Sequence, residues 1–186
     1  MRLGVWGGNG SFTEEAALTY AKRSVLDSYS IEHFDSIDEE LEALEKGHID
    51  LAIFPMRNSL GGVVHEAANI TNKFSFIEKD ELKMEIHQNL LVSPGTKLED
   101  IGTVISHYQP LQQCRRFIER ILPNAVVQEC NDMSIVAANI AQFILPRSSA
   151  VIASKRIAEI YGLDILAADI QDSSANITTF RIASKT

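Results

Sequence analysis

The chain has 186 residues, with 17 Lys+Arg against 25 Asp+Glu and a formal net charge of -8. At roughly 150 residues per domain it makes about one domain or two small lobes, long enough to bury about 70% of its unfolded surface without a metal or disulfide. Its 45% hydrophobic and 23% charged content is that of a soluble globular protein and excludes disorder; the acidic balance disfavours a nucleic-acid role, and the apolar-leaning runs near Ile135–Leu145 and Ala150–Ala153 fall far short of the roughly 20 residues of a membrane span.

The chain opens on a strand, Leu3–Trp6, and shows no basic start, apolar stretch and small-residue cleavage site of a signal peptide. Ser11 to Glu14 form a capping box, and Ala16, Ala17, Tyr20 and Ala21 then recur at helical spacing. Ser30–Phe34 reads as a second strand. Ser36 to Glu39 form another capping box, opening a helix with Leu41 and Leu44 on one face and a stop at Gly47. Ile49–Pro55 is a nearly unbroken apolar strand, the pattern of one covered on both faces. Phe74–Glu78 and Met84–Val92 look extended, with the polar residues Glu78 to Glu81 as a turn between them. Alternation then resumes: strand Thr103–Ser106, a helix from Gln109 to Leu122, strand Ala125–Glu129, helix Ser134–Ile144, strand Ala150–Ala153, helix Ser154–Tyr161, strand Ile165–Ala168 and a closing extended segment, Ile177–Ala183. This order predicts parallel-rich sheets flanked by helices, in two α/β lobes with a cleft between them. Lobe one covers about residues 1–80 plus 172–186, lobe two about 81–171. Cys114 and Cys130 lack metal-ligand spacing and read as buried free thiols, which fits a reducing cytoplasm.

Open parallel sheets bind ligands beyond the carboxyl ends of their strands. After strand one comes Gly7 to Ser11 and then a helix, a loop that suits an anion but is equally a tight turn with a capped helix. It is neither a GxGxxG fingerprint nor a Walker motif. After strand three come Pro55 to Gly62, offering a cation (Arg57), an amide (Asn58), a hydroxyl (Ser59) and two glycines. These suit a carboxylate, or make a polar turn capped by Asn58 or Ser59. After Ser106 comes His107 to Gln113; His107 reads as a helix cap more readily than as a general base, since no paired nucleophile is visible. Asn176 to Phe180 place two hydroxyls at a strand start, which by themselves make a β-branched strand. No HExxH, Cys/His ligand set or GxSxG is present, which disfavours metal and serine hydrolases.

Taken in order, these four loops resemble the catalytic domain of prephenate dehydratase. That family shows a Gly-Pro-x-Gly-Thr/Ser-Phe/Tyr-Ser start, a Pro-Ile-Glu-Asn-Ser loop, a Ser-His-Pro-Gln-x-x-x-Gln-Cys segment and a closing Asn-x-Thr-Arg-Phe. Here they read Gly7 to Thr13, Pro55 to Ser59 with Gly62 and Val63, Ser106 to Gln109 through Gln113 and Cys114, and Asn176 to Phe180. The resemblance covers nearly the whole chain. It implies a fold like the type II periplasmic binding proteins, an active site in the cleft between lobes, and loss of water and carbon dioxide from prephenate to give phenylpyruvate on the route to phenylalanine. It implies no cofactor, a possible homodimer, and a catalytic domain without the family's regulatory ACT module.

The family's proposed proton donor falls on Thr178. Asn58, Ser106 and Gln113 match its polar residues around the substrate, Ser11 and Ser59 its anion-holding loops, and Ser134, more loosely, a helix-opening threonine. Thr179 and Phe180 complete the closing motif beside the substrate. The family's glutamate is Arg57 here, its motif arginine is Thr179, and Tyr108 replaces a proline. A lost Arg–carboxylate contact costs on the order of 1.5–3 kcal/mol. The expectation is that Arg57 reaches into the cleft and supplies the cation that position 179 lacks. The first reading is therefore a prephenate dehydratase domain. The alternatives are a related cyclohexadienyl acid lyase (an arogenate dehydratase or a non-aromatising decarboxylase) and a non-catalytic binder of small carboxylates.

Overall fold

The computed structural model describes residues 1–70 and 73–186. In chain order the elements are β1 (Arg2–Trp6), α1 (Phe12–Arg23), β2 (Ser30–Phe34), α2 (Ile37–Lys46), β3 (Leu51–Asn58), β4 (Gly62–Val63), α3 (His65–Ile70), β5 (Phe76–Glu85) and β6 (Asn89–Val92). They continue with β7 (Thr103–Ser106), α4 (Tyr108–Gln113), α5 (Arg115–Ile121), β8 (Val126–Glu129), α6 (Met133–Ala141), β9 (Ser149–Ala153), α7 (Lys155–Tyr161), β10 (Asp164–Ala167) and β11 (Ile177–Lys185). The chain divides into two compact units: Met1–Glu85 with Ile177–Thr186, and Ile86–Asn176.

The first unit is built on a sheet of order β2-β1-β3-β11-β5, with β4 paired to β3. β2, β1 and β3 run parallel, while β11 is antiparallel to both β3 and β5. Both serines cap their helices as read: Ser11 Oγ accepts from the Glu14 N–H, and Ser36 Oγ from the Glu39 N–H, while the Glu14 carboxyl reaches the Gly10 N–H instead of that of Ser11. Gly47 closes α2 with φ +74°, a left-handed conformation that Gly adopts without a Cβ penalty. Leu41 and Leu44 bury against Ile49, Ala52 and Phe54.

β3 does not stop at Pro55 but runs on to Asn58. Proline lacks an N–H for the ladder, and the strand tolerates it at an irregularity: Thr179 pairs with Arg57 and Phe180 with Pro55, leaving Met56 as an extra residue. The expected turn at Glu78 to Glu81 is absent; β5 passes straight through it. β5 is an edge strand, paired only with β11, and Leu82 is its one buried residue. Charges that read as a turn stand in solvent along an edge.

The second unit is built on a sheet of order β10-β6-β9-β7-β8. Its apolar runs divide by alternation. Leu90, Val92, Ala150 and Ile152 pack with Leu111, Cys114, Ile118 and Leu122, while Leu91, Val151 and Ala153 pack with Val136, Ala137, Ile140, Ile157 and Ala158. Helices therefore cover both faces, which is why β6 and β9 read as continuous hydrophobic stretches. The single helix expected over 109–122 breaks at Cys114 into α4 and α5, and the helix expected to reach Ile144 ends at Ala141, before Phe143 at φ 56°.

Candidate active site

Asn58 closes β3 and is 5% exposed. Its carboxamide oxygen accepts from the N–H groups of Leu60 and Gly61, at 2.9 and 2.8 Å. Two backbone donors on that oxygen fix the orientation of the amide. Nδ2 therefore faces β11, where it donates to Thr178 Oγ1 at 2.9 Å. Thr178 is 7% exposed, and its own hydroxyl proton meets no acceptor among the described residues. Thr178 is thus a buried hydroxyl whose oxygen receives an amide N–H and whose proton is left for a ligand. Ser59 is exposed and stitches the loop to β11: its N–H donates to the Ile177 carbonyl and its Oγ accepts from the Ile177 N–H.

Arg57 and Thr179 are direct register partners on β3 and β11. Successive strand residues point to opposite faces, so this pair faces away from the Asn58–Thr178 pair. The Arg57 side chain is exposed and makes no hydrogen bond or ion pair among the described residues. The expectation that Arg57 enters the site beside Thr178 is therefore corrected by strand alternation, and Thr179 leaves the site with it. Phe180 is corrected too: at 1% exposure its ring belongs to the core and offers no face to a ligand.

The Gly7–Ser11 loop is closed from within by the side chain of Glu14. Glu14, 3% exposed, accepts from the Gly10 N–H at 2.7 Å and lies 3.0 Å from His33 Nε2. Ser11 is the α1 N-cap. The Glu14 carboxyl takes up the Gly10 N–H, and Ser11 shapes the loop as a helix cap.

In the second unit Ser106 is fully buried, and its hydroxyl donates to the Ile152 carbonyl at 2.7 Å. That bond ties β7 to β9 and gives the Ser106 hydroxyl a structural role. Gln113, half-buried at the end of α4, is held by a group of amides. Gln88 Nε2 and Asn176 Nδ2 both donate to Gln113 Oε1, at 3.1 and 2.9 Å. Gln88 was not singled out by the sequence; a glutamine in an extended segment carries no spacing signal.

His107 caps α4 as expected, its ring nitrogen accepting from the Gln109 N–H at 3.4 Å. Ser134 is bound to Asp132, the N-cap of α6. Burial, helped by the nearby Asp172 charge, pushes the Cys114 thiol up to about 12. Cys130 is only partly buried, against expectation, because it lies just past the exposed strand β8.

The sequence matches the family model described as PDT, prephenate dehydratase, over residues 3–186. The chain belongs to the prephenate dehydratase family. It is 32% identical over 180 residues to arogenate dehydratase/prephenate dehydratase 2 of Arabidopsis thaliana, covering 97% of this chain and 45% of that protein. The prephenate dehydratase from Arthrobacter aurescens, solved in complex with L-Phe, superposes with a TM-score of 0.90 at 26% identity, covering 100% of this chain and 61% of that one. A periplasmic substrate-binding protein of an ABC transporter from Coxiella burnetii superposes with a TM-score of 0.51 at 16% identity, over 97% of this chain and 84% of that one. The prephenate dehydratase family thus shares a periplasmic-binding-protein-like α/β fold with two helix-flanked sheets. The chain spans less than half the length of the curated relatives it matches.

Proposed function

We propose that the chain is a lyase that converts prephenate to phenylpyruvate by loss of water and carbon dioxide, a step of phenylalanine biosynthesis. The observation that carries this reading is the buried Thr178 hydroxyl, with Asn58 donating to its oxygen and its own proton unengaged. In the reaction the Thr178 O–H gives its proton to the departing ring hydroxyl as the carbon–oxygen bond breaks. The ring carboxylate leaves as carbon dioxide, and its bonding pair enters the ring, completing the arene. As the proton moves, negative charge grows on Thr178 Oγ1, where the Asn58 N–H is already aimed. A donor placed in advance at developing charge costs no reorganisation in the transition state. One proton is consumed per turnover and restores the threonine. Ser11 and Ser59 shape the loops around the site and do not deliver protons.

A second substrate, arogenate, is supported by relatives named arogenate dehydratases, one of them 33% identical over 180 residues from Petunia hybrida. The same Thr178 chemistry serves it, because the two acids differ in the side chain and not at the reacting carbons. We further propose a cytoplasmic setting, in keeping with two free thiols, and a homodimer. None of the described helices is long and apolar enough to cross a membrane.

The test is to supply the chain with prephenate, and separately with arogenate, and to follow phenylpyruvate and phenylalanine. Thr178→Val, which keeps the shape and removes the proton, lowers kcat by about 10²–10³-fold, while Thr178→Ser retains turnover. A Thr178→Val protein as fast as its parent would overturn the mechanism. Tight binding without turnover by the parent would return the chain to the binding-protein reading.

A further inference from the structure

Thr178 has a register partner on each side in its sheet. On β3 the partner is Asn58, and on β5 it is Met84. Residues directly opposite across a ladder point to the same face, with Cβ atoms about 4.5–5.5 Å apart. Asn58 is in turn paired with Gly62 of β4, where an added Cβ would meet nothing within 4 Å. One row across the first unit's sheet thus reads open space, amide, hydroxyl, thioether.

A second observation concerns the place of Met84 on β5. The register with β11 runs without a break from Thr178 and Met84, through Phe180 and Leu82, to Ile182 and Asp80. Alternation puts these residues on one face and Thr179, Lys83 and Glu81 on the other. On the first face Leu82 and Phe180 are buried, and Asp80 pairs with Arg23 in the last turn of α1. Met84 is only half-buried. It stands where the apolar interior of that face runs out, directly across from Thr178. The charged neighbours of Met84 along the strand, Lys83 and Glu85, point the other way. The flank of Thr178 opposite Asn58 is therefore apolar.

Resting on the reading of Thr178 as the proton donor, we infer that Met84 is a substrate-contacting residue: its thioether side chain packs on the carbocyclic ring of the cyclohexadienyl acid, beside the carbon whose hydroxyl Thr178 protonates. A ring hydroxyl that takes the Thr178 proton comes within about 2.7–2.8 Å of Oγ1. That distance brings the ring over the row of Asn58, Thr178 and Met84. The Asn58 amide is engaged with Leu60, Gly61 and Thr178 and offers a hydrocarbon ring no apolar surface. Met84 offers an unbranched, polarisable chain, which adapts to a flat hydrocarbon surface and makes favourable contacts with an arene.

Four proteins test this: the parent, Thr178→Val, Met84→Leu and Met84→Gln. Gln has nearly the length of Met and puts an amide where the thioether was. Met84→Gln is expected to lose on the order of tenfold in kcat/KM for prephenate, with a Tm within about 2 °C of the parent's. Met84→Leu is expected to stay within about threefold of the parent. Parent-like kinetics in Met84→Gln, with Thr178→Val impaired, would overturn the ring contact and leave the Thr178 reading intact. Parent-like kinetics in Thr178→Val would remove that reading itself. Activity and Tm falling together in both Met84 variants would show a packing role and overturn the inference. The ε-methyl resonance of Met84, assigned by its disappearance in Met84→Leu, reports the contact without turnover. On titration with phenylpyruvate it is expected to move furthest of the methionine methyl signals, through the ring current of the arene. A Met84 signal that stays in place while phenylpyruvate competes with prephenate would overturn the contact.

Discussion

At position 57 a single charge shows how much a strand's two faces matter. The family pattern of glutamate and arginine falls on 57 and 179, which are directly opposed across β3 and β11. An acid facing a base there is a cross-strand pair. Arg57 and Thr179 replace both members at once, and the double change avoids two arginines opposed at the closest range a sheet offers. Thr179→Arg alone is accordingly expected to destabilise, and Arg57→Glu with Thr179→Arg to restore stability. The coupling, read from urea melts of the four proteins, is about 0.2–1 kcal/mol. Arg57→Ala is expected to leave prephenate turnover within about threefold of the parent, since an exposed side chain on the far face loses little. A tenfold loss would return Arg57 to the site. Order in the sequence brought Asn58 and Thr178 to notice, but which neighbours share a face depends on the register and the extra residue at Met56. That register is long-range and leaves no mark in the residues themselves.

Elements were legible wherever local chemistry decides them. Ser11 with Glu14, and Ser36 with Glu39, fixed two helix starts, and Gly47 a helix end. β5 misled because Glu78, Lys79, Asp80 and Glu81 carry the composition of a turn, and only its place at the sheet edge makes a charged strand acceptable. α2 held another feature hidden from pattern reading. Glu40 is fully buried, with one carboxyl oxygen accepting from the Ile53 N–H at 2.7 Å and the other without a partner among the described residues. Burial pushes its carboxyl well above the usual carboxylate range, and the bond from Ile53, which pulls the other way, is the smaller influence. The native value thus exceeds the unfolded one. The resulting stability is complete below the unfolded carboxyl's pKa and is lost as pH rises toward the native value. Glu40→Gln keeps an acceptor for Ile53 without a titrating proton. It is expected to melt like its parent at pH 4 and above it at pH 8, each kcal/mol appearing as about 2–4 °C in Tm. A gap that fails to widen with pH would count against a neutral Glu40.

For the molecule as a whole, the fold class and the two helix-flanked sheets followed from the alternation of strands and helices. The division of the chain did not follow as closely, because the boundaries at 85/86 and 176/177 lie beside a strand that composition had cut short. The candidate loops were legible in their order along the chain, but the hydrogen bonds that each side chain makes were not. Ser106, Ser59 and Ser11 look alike in sequence, yet each hydroxyl is engaged by the fold in its own way. Thr178 differs in that its hydroxyl proton meets no acceptor among the described residues, which only three-dimensional neighbours reveal. Thiol chemistry separates the two cysteines in the same manner. With a pKa of about 12 and no exposure, Cys114 is expected to resist a thiol reagent at pH 8 until the chain unfolds, while the half-buried Cys130 reacts first. Mass spectrometry of the labelled peptides checks the order.

β11 follows the whole second unit in the chain and yet lies inside the first unit's sheet, between β3 and β5. While a ribosome is still reading the codons of the second unit, the nascent first unit has two raw edges where that strand will go. Asn58 waits through that interval without its hydroxyl partner. Translation must therefore run past Lys185 before the first sheet can close and the Asn58–Thr178 pair can form.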